Sequence, residues 1–218
     1  MALAFSVTAA AQVGGAPVAE TEAGHLVGDP EAEVTLTEFM SYTCPSCGNF
    51  AKQAANALHL VYAGTGSVAV EYRPMVRDPV DLTVAMLVSC VPAERFAAAH
   101  ATFMERQDGW LFRAQNTPAA QRQVWRDATG SAERRRSIAS ALEFYSKVEP
   151  LGLSRIEADR CLADQAQADK LLAAAEASRA EFPIPGTPSF ALNGELLEDV
   201  HSWEALRPRL DAAVEAAD

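Results

Sequence analysis

Two cysteines three positions apart are the residues of this sequence best suited to chemistry. Cys44 and Cys47 stand in "TCPSC", directly after an apolar run and directly before a predicted helix. Such a pair can hold a metal ion, form a structural disulfide, or open and close a disulfide during a reaction. The N–H groups and the dipole at a helix N-terminus stabilise a thiolate, so Cys44 is the predicted nucleophile.

The two cysteines differ in their predicted surroundings. Pro45 suits the first helical position, where its missing N–H costs no hydrogen bond. Cys47 lies one turn into the helix on its apolar side, where it can reach the sulfur of Cys44 but is poorly accessible from solvent. Thiol–disulfide exchange needs this asymmetry between an attacking and a resolving sulfur.

Other cysteine chemistries fit the spacing poorly. A four-cysteine zinc site needs a second close pair, but Cys90 follows Cys47 by 43 positions and Cys161 follows Cys90 by 71, so we expect no metal. A Cys/His hydrolase needs a histidine beside Cys44. No spacing favours any of the four histidines: His25, His59, His100 and His201. His100 lies on an apolar stripe, where we expect a hydrogen-bonded core histidine.

Three predicted elements surround the cysteine pair. Residues 34–40, "VTLTEFM", predict a strand that places Glu38 on an otherwise apolar face, where it would be buried. An apolar helical stripe runs onward from Cys47, and Gly64 is placed to end the helix. Residues 67–76, "SVAVEYRPMV", alternate as a second strand.

The rest of the chain changes from helices back to strands. From about 79 to 182 the apolar spacing is helical, and no stretch is typical of a strand. Residues 182–200, "FPIPGTPSFALNGELLEDV", return to strand character. Within them Asn193-Gly194 predicts the two-residue turn of a hairpin.

The C-terminal end predicts one more helix, which follows Ser202 and carries Trp203, Leu206, Leu210 and Val214. Because Pro208 is awkward inside a helix, we expect the regular part to begin near Arg207, with the proline in its first turn. Residues 34–77 and 183–218 then form one small α/β domain. A helical domain over 78–182 interrupts it.

Composition narrows the class of protein. Of the 218 residues, 49% are apolar, which is enough for a buried core. The formal net charge of −11 argues against nucleic-acid binding, which needs clustered Lys and Arg. We interpret the one dense basic run, "ERRR" at 133–136, as a solvated helix face.

The first 33 residues are predicted to be a leader. They are rich in Ala, Gly and Glu, and "AAA" at 9–11 fits a small-residue cleavage site before Gln12. No Lys or Arg precedes the apolar start, so a trimmed secretory signal and a disordered leader both stay open. No later stretch is long and apolar enough to span a membrane. The four cysteines are compatible with two disulfides and an oxidising compartment.

Taken together, these motifs resemble the DsbA-like branch of the thioredoxin superfamily. "GDPEAEVTLTEFMSYTCPSCGNF" is similar to the opening strand and active-site helix of that family, and "PGTPSFALNGE" to its cis-proline strand and hairpin. The resemblance runs from about Gly24 to the C-terminus. It implies an α/β protein, a thioredoxin fold with a large inserted all-helical domain.

The resemblance also implies the site residues. Cys44 would be the attacking thiol and Cys47 the resolving thiol, with the Thr187-Pro188 peptide bond in the cis form facing them. A cis bond there would let the Thr187 backbone pair with an extended substrate segment. Glu38 matches a buried acid that exchanges protons with the resolving cysteine.

Three further residues complete the predicted cysteine chemistry. Ser46 stands where many relatives carry His, which removes a cation that favours the thiolate. Cys90 and Cys161 are each predicted on a helix of the 78–182 block, with sulfurs able to face one core. We expect them to form a structural disulfide, with two buried free thiols as the alternative.

The resemblance implies a periplasmic thiol oxidase that donates the Cys44–Cys47 disulfide to thiol-containing exported proteins. A membrane quinone-linked partner of DsbB type would recharge it, with no cofactor beyond the redox-active disulfide. A reductase or isomerase of the same fold and a chaperone-like peptide-binding module are the alternatives. We expect a monomer, because the leader is too short and too polar for a dimerisation domain.

Overall fold

A computed structural model of the chain describes residues 11–13, 16–127 and 132–217. The apolar start of the predicted leader and most of the cleavage site at 9–11 lie outside the described residues. In the described part, no helix is both long and apolar enough to cross a membrane.

The described strands form one mixed sheet. They are β1 (Ala11–Val13), β2 (Ala16–Glu20), β3 (His25–Val27), β4 (Val34–Met40), β5 (Val68–Pro74), β6 (Ser189–Leu192) and β7 (Glu195–Leu196). Their order across the sheet is β1-β2-β3-β5-β4-β6-β7. The β4–β5 pair is parallel, and the other neighbouring pairs are antiparallel.

The described helices lie after β4, between β5 and β6, and at the C-terminus. They are α1 (Pro45–Asn56), α2 (Pro79–Cys90), α3 (Phe96–Glu105), α4 (Gln107–Gln115), α5 (Ala119–Asp127), α6 (Ala132–Ala141), α7 (Tyr145–Val148), α8 (Arg155–Ala163), α9 (Gln165–Glu181) and α10 (Trp203–Ala217). A π-helical segment, Ala57–Ala63, extends α1 and ends at Gly64 as predicted.

The two faces of β4 are buried in different hydrophobic clusters. Met40 belongs to the main cluster, which also contains Cys47 of α1. Phe39 points to the other face and belongs to a smaller cluster with Phe182. Because side chains alternate along a strand, Glu38 shares the Met40 face. The acid therefore lies on the side of the sheet that α1 covers.

The predicted leader is wrong for β1, β2 and β3, because these strands belong to the sheet. β3 pairs with β5, and β2 pairs with β3. Ala16, Val18 and Val27 are buried, and this burial of apolar surface holds the segment on the sheet. β2 and β3 are short, and β2 contains two Ala residues, so the strand signal in the sequence is weak.

The helices α2–α9 form a block inserted between β5 and β6. No strand is described within residues 79–127 or 132–182. The block shares its core with the sheet, since Met86 and Val70 belong to one hydrophobic cluster. A disulfide between Cys90 and Cys161, with an S–S distance of 2.05 Å, joins α2 to α8.

The interpretation of 133–136 as a solvated helix face is wrong for two of its arginines. Arg134 and Arg135 are buried. The Arg135 Nε donates to the Leu162 carbonyl at 2.7 Å, and Arg136 donates to the Asp159 carbonyl at 2.9 Å. The run satisfies carbonyl groups near the C-terminus of α8, where cations are favoured.

The predicted hairpin turn is present between β6 and β7. Asn193 and Gly194 both have positive φ, 49° and 83°, as a two-residue type I′ turn requires. The Asn193 side chain also accepts from the Thr35 N–H at 2.7 Å. The second arm is shorter than "ELLEDV" suggests, since β7 spans Glu195–Leu196.

The closing helix follows Ser202 as predicted, but its regular part begins earlier than predicted. α10 begins at Trp203 and continues through Pro208, whereas the sequence predicts that the regular part begins near Arg207. Leu206 is fully buried, and Trp203 packs edge-on against Phe50. Burial of this first turn offsets the one helical hydrogen bond that the proline removes.

Candidate active site

Cys44 is the N-cap residue of α1. Its backbone is extended (φ −90°, ψ 114°), and Pro45 occupies the start of the helix. The N–H groups of Cys47 and Gly48 donate to the Cys44 carbonyl at 3.1 and 3.2 Å. Local sequence explains this start, because proline is pre-shaped for the first helical position and cannot donate there.

The start of β6 lies against this helix N-terminus. The Thr187-Pro188 peptide bond is cis, and the Cys44 thiol donates to the Thr187 carbonyl at 3.1 Å. Ser189, the first residue of β6, pairs with Phe39 of β4. The β4–β6 pairing thus brings the cysteine pair and the Thr187-Pro188 segment together.

The surroundings of Cys44 favour its thiolate. A hydrogen bond from the Cys47 thiol, with further ones from the Thr187 side chain and the backbone N–H groups of Cys47 and Ser46, outweighs partial burial and lowers the pKa of Cys44 to about 5. Ser46 contributes a backbone N–H, and its side chain is exposed. The acidity therefore arises without a cation between the cysteines.

Cys47 has the opposite character. It is fully buried, and burial, followed by its interactions with Cys44, raises the pKa of its thiol far above the ordinary range. Both cysteines are free thiols in this structure. The pair thus combines one acidic sulfur with one protected sulfur that holds its proton.

Glu38 is a buried acid on the same side of the sheet. It is 1% exposed, and its Oε1 has no hydrogen-bond partner. Burial raises the pKa of this carboxyl to about 8, and the Glu38 charge raises the pKa of Cys47 in turn. Glu38 is therefore neutral at pH 7 and is coupled electrostatically to Cys47.

Asp81 of α2 is a site residue that the sequence does not reveal. It is fully buried and accepts from the Ser41 hydroxyl at 2.6 Å, the Tyr42 N–H at 2.8 Å and the Arg77 N–H at 3.0 Å. Burial raises its pKa to about 6. The acids of "RDPVD" (77–81) suggest a helix start, but the distant loop that Asp81 holds has no local signal.

Gln107, the first residue of α4, is a second such residue. Its Nε2 donates to the Tyr42 carbonyl at 2.7 Å and to the Cys44 carbonyl at 2.9 Å. It is fully buried. In the sequence it stands between Arg106 and Asp108 on a polar stretch, where an exposed position is the ordinary expectation.

His100 and His201 form hydrogen bonds with groups other than the two sulfurs. His100 is buried, and its Nδ1 lies 3.2 Å from the Tyr42 hydroxyl, which confirms the expected core histidine. His201 Nδ1 donates to the Pro188 carbonyl at 2.8 Å. Among the described residues, no cluster of three or more His, Cys, Asp or Glu side chains is arranged to hold a metal ion.

Comparisons with known proteins agree with this geometry. A family model described as thioredoxin matches residues 20–212. A protein-disulfide isomerase structure from Novosphingobium aromaticivorans is 41% identical, with a TM-score of 0.81 over 87% of this chain and 96% of that one. The α-DsbA1 structure of Wolbachia pipientis has a TM-score of 0.68 at 18% identity, over 88% of this chain and 91% of that one.

A curated relative extends beyond this chain. A protein of Rickettsia typhi named as a protein-disulfide oxidoreductase is 23% identical over 191 residues. The match covers 87% of this chain but 62% of the relative, so this chain spans less than two thirds of that protein. The family match covers most of the described sheet and helices, including both cysteines of the pair. The chain belongs to the thioredoxin family, and its fold is that of the DsbA-like proteins.

Proposed function

We propose that the protein is a thiol:disulfide oxidoreductase that oxidises substrate thiols with a Cys44–Cys47 disulfide. The observation that carries the proposal is the contrast within the pair. Cys44 has a pKa of about 5, whereas the pKa of buried Cys47 is raised. A stabilised Cys44 thiolate favours the reduced protein, and a protein that favours its reduced form is an oxidant.

The proposed reaction has two exchange steps. A substrate thiolate attacks the Cys44 sulfur, the Cys44–Cys47 bond breaks, and the Cys47 sulfur leaves with the electron pair and takes up a proton. A second substrate thiolate then attacks the substrate sulfur of the mixed disulfide, and Cys44 leaves as a thiolate. The substrate loses two electrons and two protons. The protein gains the electrons and one proton, and the other proton passes to solvent.

Two neighbouring groups and the acidity of Cys44 itself support these steps. The Thr187 backbone beside Cys44 can pair with an extended substrate segment. Glu38, neutral at pH 7 because its pKa is about 8, can supply the proton that Cys47 takes up. Cys44 leaves readily in the second step because its pKa is low.

The compartment and partners belong to the same proposal. Substrates would be exported proteins with reduced cysteines in the periplasm, and a membrane quinone-linked protein of DsbB type would reoxidise the pair. The Cys90–Cys161 disulfide supports an oxidising compartment. The protein would act as a monomer.

A disulfide isomerase is the second candidate. The observation that favours it is the 41% identity with a structure titled a protein-disulfide isomerase. An isomerase uses the reduced form, in which the Cys44 thiolate attacks a scrambled disulfide. Thr187 before the cis proline suits either activity, and the absence of a cation between the cysteines weakens the oxidant.

Two substrates separate these candidates. The oxidised protein is mixed with a reduced unfolded substrate, and the reduced protein with the same substrate in scrambled form. We expect fast oxidation and poor rescue of the scrambled form. Efficient rescue without oxidation would make the protein an isomerase. A Cys44→Ser variant that keeps full activity in cells would instead favour a peptide-binding chaperone.

A further inference from the structure

The segment that leads into the active-site helix is held from the inserted helical block. The backbone of Tyr42 is bound on both sides. Its N–H donates to Asp81 of α2 at 2.8 Å, and its carbonyl accepts from Gln107 of α4 at 2.7 Å. Gln107 also donates to the Cys44 carbonyl at 2.9 Å. One side-chain amide thus joins the two carbonyls that flank Thr43.

The orientation of the Gln107 amide follows from its partners. Both groups that face it are carbonyl oxygens, which only accept, so the NH₂ group must point toward them. The Oε1 atom then lies buried without a hydrogen-bond partner. Leaving a buried acceptor unpaired costs free energy. The folded protein therefore accepts an unpaired Oε1 atom in exchange for the two hydrogen bonds that Gln107 donates.

Packing leaves this amide little room to move. A Cβ placed on Gly48 would overlap Gln107 Oε1. The absence of a side chain at Gly48, on the first turn of α1, therefore permits the close approach of α4. Gln107 is fully buried. These contacts fix the amide against the N-terminus of α1.

The orientation of the Cys44 peptide group determines which backbone N–H groups face the Cys44 sulfur. The backbone N–H groups of Ser46 and Cys47 help to stabilise the Cys44 thiolate. They do so only while the Cys44 carbonyl points along the helix, where Cys47 and Gly48 donate to it. A rotation of the Cys44–Pro45 peptide group would turn the carbonyl oxygen away from these donors and shift the N–H groups of Ser46 and Cys47 relative to the Cys44 sulfur.

We propose that Gln107 is a positioning residue that fixes the Tyr42–Thr43 and Cys44–Pro45 peptide groups and so holds the Cys44 sulfur at the N–H groups of α1. The helical block thereby takes part in setting the redox balance of a site that lies in the thioredoxin-like part. Gln107 touches no reacting atom and acts through the backbone. The inference rests on the proposed role of Cys44 as the reactive thiol. It holds whether the protein oxidises, reduces or isomerises its substrates.

The test uses the full chain with Gln107→Met, which keeps the length and approximate volume of the side chain and removes both donated bonds. The thiolate absorbance of the reduced protein is followed against pH. The redox equilibrium with glutathione is measured separately. We expect the Cys44 ionisation constant to fall by about threefold or more, and the glutathione equilibrium to shift toward the disulfide form by a similar factor.

The matched control is Gln121→Met. Gln121 Nε2 donates to the Ser137 hydroxyl at 2.9 Å within the same helical block, away from the cysteine pair. This variant loses a hydrogen bond of similar length but should leave both redox measurements unchanged. Gln107→Asn, whose amide is one methylene too short to bridge both carbonyls, should give an intermediate shift.

Stability separates positioning from a purely structural role. Free energies of unfolding are measured for the oxidised and reduced forms of each variant. Positioning predicts that Gln107→Met destabilises the reduced form more than the oxidised form. Equal destabilisation with an unchanged Cys44 ionisation would overturn the proposal, as would failure of both Gln107 variants to fold in either redox state. If Gln107→Met shifts the Cys44 ionisation but the wild-type protein oxidises no substrate, the proposed function is wrong and the positioning role of Gln107 stands.

Discussion

The Cys44 sulfur lies 3.1 Å from the Thr187 carbonyl oxygen, although 143 positions separate the two residues. This contact joins the reactive sulfur to the backbone segment that could align a substrate. A substrate strand paired with Thr187 would carry its own cysteine directly to Cys44. One strand pairing, between β4 and β6, therefore determines both the sulfur position and the approach of the substrate.

The reduced protein should gain stability over the oxidised protein as pH rises from 5 toward 9. The Cys44 pKa is lowered to about 5, below its unfolded value of about 8.5. A lowered pKa stabilises the folded state above the unfolded value, and this contribution is lost as pH falls through the folded value. Urea unfolding of both redox forms at several pH values measures it. A difference between the forms that does not change with pH would contradict the acidic thiol.

Glu38→Gln should stabilise the protein at alkaline pH and slow its exchange reactions. Burial raises the Glu38 pKa to about 8. The free energy of unfolding that the neutral carboxyl contributes is therefore lost as pH rises from the ordinary pKa of a glutamate through 8. Above pH 8 the variant should be more stable than the wild type by about 2 kcal/mol or more. Denaturant unfolding of both proteins at pH 5 and pH 9 tests whether the variant is the more stable one at the higher pH.

The same variant should lose about tenfold in the rate of substrate oxidation at pH 7. The amide cannot pass a proton to Cys47. A rate equal to that of the wild type would remove Glu38 from the mechanism, even if its effect on stability were observed.

Asp81→Ala should destabilise the protein by about 2 to 4 kcal/mol, because the Ser41 hydroxyl and two N–H groups lose a buried acceptor. Asp108→Ala is the control. Asp108 is 75% exposed and forms an ion pair with Lys52, so its loss should cost less than about 1 kcal/mol. Thermal and denaturant unfolding compare the two. Similar small costs would show that Asp81 does not hold the loop.

The double variant Cys90→Ser/Cys161→Ser should lower stability and leave the active site intact. The disulfide closes a loop with a sequence separation of 71, which corresponds to at most about 4 kcal/mol in the chain-entropy model. The glutathione equilibrium of the Cys44–Cys47 pair should be unchanged. In the oxidised, denatured wild type, no thiol should react with an alkylating reagent.

Sequence patterns predicted the elements that carry the cysteine pair because those signals are local. β4 follows from alternation, α1 from Pro45 and its apolar stripe, and the β6–β7 turn from Asn193-Gly194. The cis bond before Pro188 came from family resemblance, since nothing local distinguishes it from a trans bond.

The missed residues act across long separations. Gln107 contacts carbonyls 63 and 65 positions earlier, and Asp81 binds groups 39 and 40 positions earlier. Their residue types fit an exposed helix start equally well. β2 and β3 escape prediction for the related reason that short strands depend on their pairing partners, here β3 for β2 and β5 for β3, more than on their own residues.

The redox equilibrium of the Cys44–Cys47 pair with glutathione tests the central claim most directly. The purified protein is equilibrated in mixtures of reduced and oxidised glutathione, and the free Cys44 thiol is trapped by alkylation. A stabilised Cys44 thiolate predicts that the pair is mostly reduced even where oxidised glutathione is abundant, so that its reduction potential lies above that of glutathione. A pair that stays oxidised in a large excess of reduced glutathione would contradict the account.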